Sequence, residues 1–199
     1  MSVLADTYWK EHPTIVEPFL SYKVRALFGK PVVSYGLSSC GYDLRLGRLF
    51  LIPRGKTSDP FSGVQYATVE AEETFVLPAH GMVLAHTYET ITMPTDVVGY
   101  VFGKSTYARL GLLVNATPVE PGWSGSLTLA LLNLSSSAIT LFVRQGIAQL
   151  QLVQLHESTS TPYTGPYQHA KGPQVPSLAA VSEQPKPDQA VYVVNASDD

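Results

Sequence analysis

The chain has very little cysteine: Cys40 is the single one among 199 residues. No internal disulfide can therefore form, and a metal site built from several thiolates is excluded, which favours a reducing compartment. Basic residues are also in short supply, with 13 lysines and arginines against 16 aspartates and glutamates. Binding of a nucleic acid polymer relies on clustered basic residues, so we expect no such partner, although a small phosphorylated ligand needs only a few local cations.

Long apolar runs are missing as well. No run of about 18 apolar residues, the length that spans a bilayer, occurs in the sequence. The N-terminal segment MSVLADTYWKEHP has no apolar stretch after a basic one and is unlike a signal peptide. We therefore predict a cytoplasmic protein without a membrane partner.

What the sequence does contain is typical of an all-β domain. From residue 31 onward, short β-branched and aromatic stretches alternate with Gly, Pro, Ser and Asp. We predict a single β domain over residues 1–155, including an N-terminal helix. After residue 156 the chain contains six of its 15 prolines, and such a segment cannot bury a core of its own. Residues 156–199 are therefore predicted to form an arm that is partly disordered or closes over a ligand.

Two short helices are predicted within this β pattern. The first covers residues 2–12, with Ser2 as its N-cap. The second runs from Ser105, also a candidate N-cap, to Gly111, which ends it. Free N–H groups at a helix start attract phosphate oxygens, so the second helix is a candidate binding element.

The segment GSLTLALLNLS predicts a strand with two different faces. Because side chains alternate between the faces of a strand, three leucines share one face. Ser126, Thr128 and Ala130 share the other face, which is free to line a site.

Several motifs, in a fixed order, resemble the dCTP deaminases of the dUTPase superfamily. They are SYGLSSCGYDLRLG from Ser34, GKSTYARLGLLVNATPVEPGWSG from Gly103, the strand that ends in Asn133, and GIAQLQL up to Leu152. The resemblance implies a distorted β-barrel with a few short helices that assembles as a homotrimer, with each active site built from neighbouring subunits. It also implies hydrolysis of dCTP to dUTP and ammonia, Mg²⁺ bound with the triphosphate, and inhibition by dTTP.

The chemistry expected of this family needs no zinc, and none is predicted here. Zinc-dependent deaminases use an H-x-E element and a P-C-x-x-C pair, and the sequence has neither. Without zinc, attack of water on C4 of cytosine needs a group that takes the proton of the water and returns it. The resemblance assigns this role to a glutamate in L-E-x-x-N, where the present strand has LALLN and places Ala130. We therefore expect an impaired enzyme, through either an engineered substitution or a natural loss.

The resemblance also implies the other site residues. Arg109 and Ser105 are expected to act in catalysis together with the position of Ala130, because Arg109 would lie beside the cytosine and the attacking water. Glu120 would bind the 3'-hydroxyl of the deoxyribose. The full substrate-binding set implied by the resemblance is Lys104, Ser105, Thr106, Arg109, Thr117, Glu120, Trp123, Gln149, Tyr163, Tyr167 and Lys171.

Several of these residues have purely structural alternatives. Arg109 could instead be a cation on the surface of a helix, and Trp123 could instead pack to close a loop. Gln149 could be a buried glutamine that bonds to the backbone of a β-bulge. In the arm, the family pairs a lysine with the tyrosine that follows it, but Pro166 stands at that place and only Lys171 could substitute. Asp43 and Arg45 are predicted to form a structural ion pair at a subunit contact.

Three other functions compete with the deaminase. A dUTP pyrophosphatase of the same superfamily would need a C-terminal segment rich in glycine and arginine, which is not found here. A bifunctional enzyme that converts dCTP to dUMP stays open. The third alternative is a non-catalytic nucleotide-binding homologue in which Ala130 is natural.

Overall fold

The computed structural model describes residues 2–59 and 63–177 and is built almost entirely of β-strands. Its helical elements are α1 (Asp6–Glu11), α2 (Ser105–Ala108) and a 3-10 turn (Pro13–Ile15). The strands are β1 (Ser2–Val3), β2 (Val16–Glu17), β3 (Lys23–Leu27), β4 (Lys30–Ser38), β5 (Gly41–Arg45), β6 (Leu49–Asp59), β7 (Gly63–Glu70), β8 (Thr74–Leu77), β9 (Met82–His86), β10 (Thr90–Thr92), β11 (Val97–Gly103), β12 (Leu112–Asn115), β13 (Ser124–Gly125), β14 (Thr128–Asn133), β15 (Ile139–Phe142) and β16 (Gly146–Gln154).

The described strands form two large antiparallel sheets and two small ones. One large sheet has the order β1-β16-β5-β4-β3, and β11 also pairs with β16. The other has the order β12-β14-β9-β6-β7. The small sheets are β13-β10-β2 and β15-β8. The mainly β architecture predicted from the residue pattern is thus confirmed.

One hydrophobic core is shared by the two large sheets. Leu150 of β16 and Tyr42 of β5 come from the first sheet, and Phe50 of β6 and Leu129 of β14 come from the second. All four are fully buried, as is Trp9, the residue by which α1 packs onto the domain. Burial of each such side chain stabilises the fold by about 1.5–3 kcal/mol, so the core fixes how the two sheets meet.

The helix starts differ from those expected. Ser2 pairs with Gln154 in β1 instead of capping a helix, and α1 begins after Ala5. The ladder bonds to β16 therefore take the place of the expected cap. At α2 the N-cap is Lys104, and no side-chain cap bond is made, so Ser105 is the first helical residue and not the cap. No helix in the described ranges is long and apolar enough to cross a bilayer.

The arm that follows β16 lies along the domain as far as residue 177. It contains no helix or strand in residues 156–177, but Ala170 forms a parallel bridge with Gly125. Ser126 donates its backbone N–H to the Ala170 carbonyl at 2.8 Å. This part of the arm is therefore tied to the segment that leads into β14. The arm predicted to be partly disordered or to close over a ligand covers residues 156–199, of which residues 178–199 lie outside the described residues. That prediction and the domain boundary at residue 155 stay predictions.

Candidate active site

Ala130 lies in the middle strand of three, where its neighbours are fixed by pairing. It is opposite Asn115 of β12 on one side and Leu84 of β9 on the other. Leu129 and Leu131 are fully buried, whereas Thr128 and Ala130 are only partly buried. The expected alternation is observed, and Ala130 faces away from the core.

The outer face of these strands forms the floor of a cavity of about 560 Å³. Met82 and Leu84 make the floor around Ala130 apolar, and Asn115 adds an amide at its edge. A cavity of this size and composition suits a small organic ligand such as a nucleoside.

The loop between β12 and β13 supplies the next wall of the cavity. Thr117, Glu120 and Trp123, which the resemblance assigns to substrate binding, all line it. Glu120 is exposed and is the one charged residue of the lining among the described residues. Trp123 is only 6% exposed, so its role is largely to pack the wall.

The arm supplies the opposite wall through Tyr163 and Tyr167. Trp123 donates its indole N–H to the Tyr167 carbonyl at 2.9 Å. Gln168 makes two bonds to the loop: its Oε1 accepts from Ser124 N and its Nε2 donates to the Gly122 carbonyl, both at 2.9 Å. We call the cavity with its loop and arm the cavity half of the site.

A second group of predicted residues lies at the start of α2. Lys104 contacts the buried carboxylate of Asp43 at 2.6 Å, and Lys23 of β3 contacts the same oxygen at 2.8 Å. Gln149 donates to the other carboxylate oxygen at 3.0 Å. Ser105, Thr106 and Arg109 are exposed beside this cluster. We call the cluster together with α2 the charged half of the site.

The two halves do not meet within one chain. None of the residues from Lys104 to Arg109 lines the cavity. Leu112, at the α2 end of β12, pairs with Asn133, whereas Ala130 pairs with Asn115 at the far end. Three residues of a strand span about 10 Å. Ala130 therefore does not face Ser105 and Arg109 of its own chain. The resemblance implies a site built from neighbouring subunits, and that stays a prediction.

Arg109 bonds only locally among the described residues. Its Nη1 donates to the Ser105 carbonyl at 3.1 Å, within the same helical turn. The guanidinium is exposed, and its other donors have no hydrogen-bond partner among the described residues. Arg109 is therefore accessible to a ligand that is not bound in the cavity of the same chain.

Asp43 and Arg45 do not pair with each other. Asp43 binds the two lysines, whereas Arg45 pairs with the fully buried Glu89, with Nε and Oε1 2.6 Å apart. The Arg45 guanidinium also lies 4.4 Å from the ring centre of Tyr88. The predicted ion pair between Asp43 and Arg45 is therefore wrong, because each residue is paired with other residues of the chain.

Two residues that contribute to the site were missed in the sequence. Lys23 lies far from every motif, and only the pairing of β3 with β4 and of β4 with β5 brings it to Asp43. Gln168 follows Tyr167 directly, so its place in the arm was a usable signal. Lys171, which was predicted to bind substrate, is exposed and is not part of the cavity lining.

Comparison with known proteins agrees with these motifs. The sequence model of the family described as dCTP deaminase-like matches residues 20–155. A curated dCTP deaminase from Campylobacter jejuni strain RM1221 is 40% identical over 189 residues, which are 89% of this chain and 99% of that protein. A dCTP deaminase from Helicobacter pylori strain G27 is 37% identical over 191 residues, with the same two coverages.

A solved structure is similar at the level of the fold. The crystal structure of 2'-deoxycytidine 5'-triphosphate deaminase from Agrobacterium tumefaciens matches with a TM-score of 0.56 and 17% sequence identity. The match covers 75% of this chain but 47% of that one, so the present chain spans about half the length of that protein.

Proposed function

This chain belongs to the dCTP deaminase-like family, and from that premise we propose that it binds dCTP at a site for hydrolytic deamination to dUTP. The observation that carries the proposal is the cavity in which Thr117, Glu120, Trp123 and the Ala130 position meet. The resemblance assigns these positions to the deoxycytidine part of the substrate and to the proton carrier. Their convergence on one cavity supports that assignment.

The reaction needs one proton carrier at the floor of the cavity. Water adds to C4 of the cytosine and gives up a proton, and ammonia leaves after the amine has been protonated. The methyl group of Ala130 cannot accept or return that proton. Asn115 and Leu84 flank the position, and neither is a base at neutral pH. We therefore propose that this chain binds dCTP but deaminates it very slowly.

The separation of the two halves supports a homotrimer. In the proposed assembly, the cavity half of one subunit receives the base and sugar, and α2 of a neighbouring subunit approaches the phosphates with Ser105, Thr106 and Arg109. The exposure of these three residues in the single chain is what such sharing requires. We expect a trimer in solution, and dTTP is proposed to compete for the same cavity.

Magnesium is proposed to arrive with the triphosphate. Asp43 is the carboxylate of the charged half. Its Oδ2 contacts Lys23 and Lys104, and its Oδ1 accepts from Gln149. This carboxylate thus leaves the ion to phosphate oxygens and water, which Mg²⁺ accepts readily as ligands. The ion would screen the charge of the phosphates. The exposed thiol of Cys40 suits a reducing compartment, and we propose the cytoplasm.

Ala130 itself favours a second candidate, a nucleotide-binding homologue without turnover. In that case the cavity and the charged half would serve binding alone. The two candidates share a ligand and differ in whether the site can still support the reaction once a carboxylate is present.

The experiment that separates them is the replacement Ala130→Glu. Positioned acid-base groups contribute about 100- to 10,000-fold in rate, so Ala130→Glu should raise ammonia release from dCTP by at least about 100-fold. Ala130→Gln has nearly the same shape without a base and should stay at the rate of the original chain. If Ala130→Glu binds dCTP as a trimer and remains as slow as Ala130→Gln, the site is one for binding only.

A further inference from the structure

The buried carboxylate of Asp43 is shared by two ammonium groups. Its side chain is 2% exposed, and its Oδ2 lies 2.6 Å from Lys104 Nζ and 2.8 Å from Lys23 Nζ. The two ammonium groups are therefore within two hydrogen-bond lengths of each other. Their side chains are 10% and 21% exposed, so both charges are largely removed from water.

This cluster is not neutral. One carboxylate balances one lysine, and Gln149, the third partner of Asp43, is uncharged. A single positive charge is left over in a partly desolvated place. Such a charge is costly unless an anion compensates it, and its attraction for an anion is stronger there than in water.

The excess charge has donors to offer. Each ammonium group has three N–H bonds. Lys104 donates one to Asp43 Oδ2, and Lys23, whose Nζ lies 2.8 Å from the same oxygen, donates one to Ser38 Oγ at 3.0 Å. Lys104 immediately precedes Ser105 and Thr106, so the cluster adjoins the exposed turn assigned to the triphosphate.

We propose that Lys23 is a phosphate-recognition residue of the nucleotide site, and this rests on the function proposed above. Asp43 cancels the charge of one lysine while it fixes the position of Lys104. Because Lys23 adds a second positive charge, the phosphate side of the site keeps a net positive charge. Lys23 is thus a specificity residue for the number of phosphates on the nucleotide and not for the base.

The test is a binding series with the Ala130 chain, which does not consume its ligand. Affinities of dCTP with Mg²⁺, of deoxycytidine and of inorganic tripolyphosphate are measured by calorimetry or competition for the parent chain and for Lys23→Gln. Loss of a hydrogen bond to a charged group corresponds to about 10-fold or more. Lys23→Gln should therefore weaken dCTP and tripolyphosphate by at least about 10-fold, and deoxycytidine by less than about 2-fold.

Two further variants serve as controls. Arg25→Gln removes a cation from the same face of β3, but Arg25 has no contact with Asp43 in the structure, so its affinities should match those of the parent. Lys23→Arg keeps the charge and should retain most of the dCTP affinity. If it loses as much as Lys23→Gln, or if Arg25→Gln loses as much, the charge at Lys23 has no special role.

The outcomes separate this inference from the proposed function. Unchanged dCTP and tripolyphosphate binding in Lys23→Gln, or an equal loss for deoxycytidine, overturns the role of Lys23 and leaves the nucleotide site intact. A parent chain that binds tripolyphosphate through Lys23 but has no preference for deoxycytidine nucleotides supports the role of Lys23 and contradicts the proposed function. A parent that binds neither ligand contradicts both.

Discussion

The cavity half and the charged half are built in opposite ways. The cavity half has an apolar floor of Met82, Leu84 and Ala130 and a single charged residue, Glu120, among the described residues of its lining. The charged half is centred on a buried carboxylate with two lysines around it. The first can select a ligand by shape and by hydrogen bonds, and the second can attract one by charge.

The difference explains why neither half is sufficient alone. A cavity with few charges gains little from the phosphates of a nucleotide, and an exposed cationic turn cannot distinguish one base from another. The ladder Asn115–Ala130–Leu84 fixes the cavity floor, whereas ion pairs fix Lys104. Binding of a whole nucleotide triphosphate requires both halves at one place, which two copies of the chain can provide.

The largest expected effect comes from mixing two defective chains. The original chain has Arg109 but no acid at position 130, whereas Ala130→Glu combined with Arg109→Ala has the acid but lacks the arginine. Each alone should be at least about 100-fold slower than Ala130→Glu. If the halves come from neighbouring subunits of a ring, about a quarter of the sites in an equal mixture are intact.

Ammonia release from dCTP is measured after the two chains are unfolded and refolded together. About a quarter of the Ala130→Glu rate is expected, and the same chains refolded separately and then combined serve as the control. A mixture as slow as its components would mean that the two halves of a site do not come from neighbouring subunits.

Next to the charged half, an added methyl group is expected to destabilise the fold at Gly146 more than at Gly103. A methyl group added at Gly146 would come within 2.0 Å of the Ser34 carbonyl oxygen, whereas one added at Gly103 would meet Val114 at 3.4 Å. Overpacking against backbone typically costs about 1–3 kcal/mol. Gly146→Ala should therefore lower the free energy of unfolding by at least that amount.

Gly103→Ala is the matched control, because Gly103 also lies next to Lys104 in the chain. Denaturant unfolding should show a change of less than about 1 kcal/mol for this variant. Equal losses in the two variants would show that the Ser34 contact does not limit the packing of the charged half.

The sequence predicted the cavity half better than the charged half. Alternation along β14 placed Thr128 and Ala130 on one face because the strand period is local, and the loop that contains Trp123 immediately precedes this strand in the sequence. Asp43 and Lys23, by contrast, meet only through the pairing of three strands. The helix cap at Ser105 failed for a related reason: Lys104 N bonds to the Ile147 carbonyl, so tertiary contacts set where α2 begins.

The arm can be loosened without a change in either half. Gln168→Ala removes two bonds to the loop, to Ser124 N and to the Gly122 carbonyl, each worth about 1 kcal/mol. Cleavage between residues 158 and 175 by a nonspecific protease should become about 30-fold faster, because a loss of about 2 kcal/mol makes local opening that much more frequent. Addition of dCTP should slow cleavage of the parent chain if the arm closes over the nucleotide.

Gln174→Ala is the control for the arm. Among the described residues, the side-chain amide of Gln174 donates to carbonyls within the arm, at 3.1 Å to Gly172 and 3.5 Å to Lys171. Its cleavage rate should stay within about 2-fold of the parent. If Gln174→Ala opens the arm as much as Gln168→Ala does, contacts inside the arm, and not its attachment to the loop, control the cavity wall.

A smaller effect is expected at His86 of β9. It pairs with Thr128 of the cavity strand, and its ring packs against Gly47. Its Nδ1 is 2.8 Å from the Thr87 carbonyl and must donate, so its Nε2 accepts from Leu49 N at 3.4 Å. Burial lowers the pKa of His86 below the usual 6.5, and the nearby Arg48 lowers it further. A proton on Nε2 would also set two donors against each other.

Because the folded state binds this proton less readily than the unfolded state, the sign of the pH effect follows. The contribution of His86 to stability is fully present above pH 6.5, the unfolded pKa, and is lost as the pH falls toward the lower pKa of the folded state.

Unfolding temperatures are measured from pH 8 to pH 5.5 for the parent and for His86→Gln, which cannot titrate. The parent should lose more stability below pH 6.5 than the variant, and the two should run parallel above it. His80→Gln is the control, because the His80 side chain is exposed. If the His86→Gln curve falls as steeply as the parent curve, the proton is taken up elsewhere.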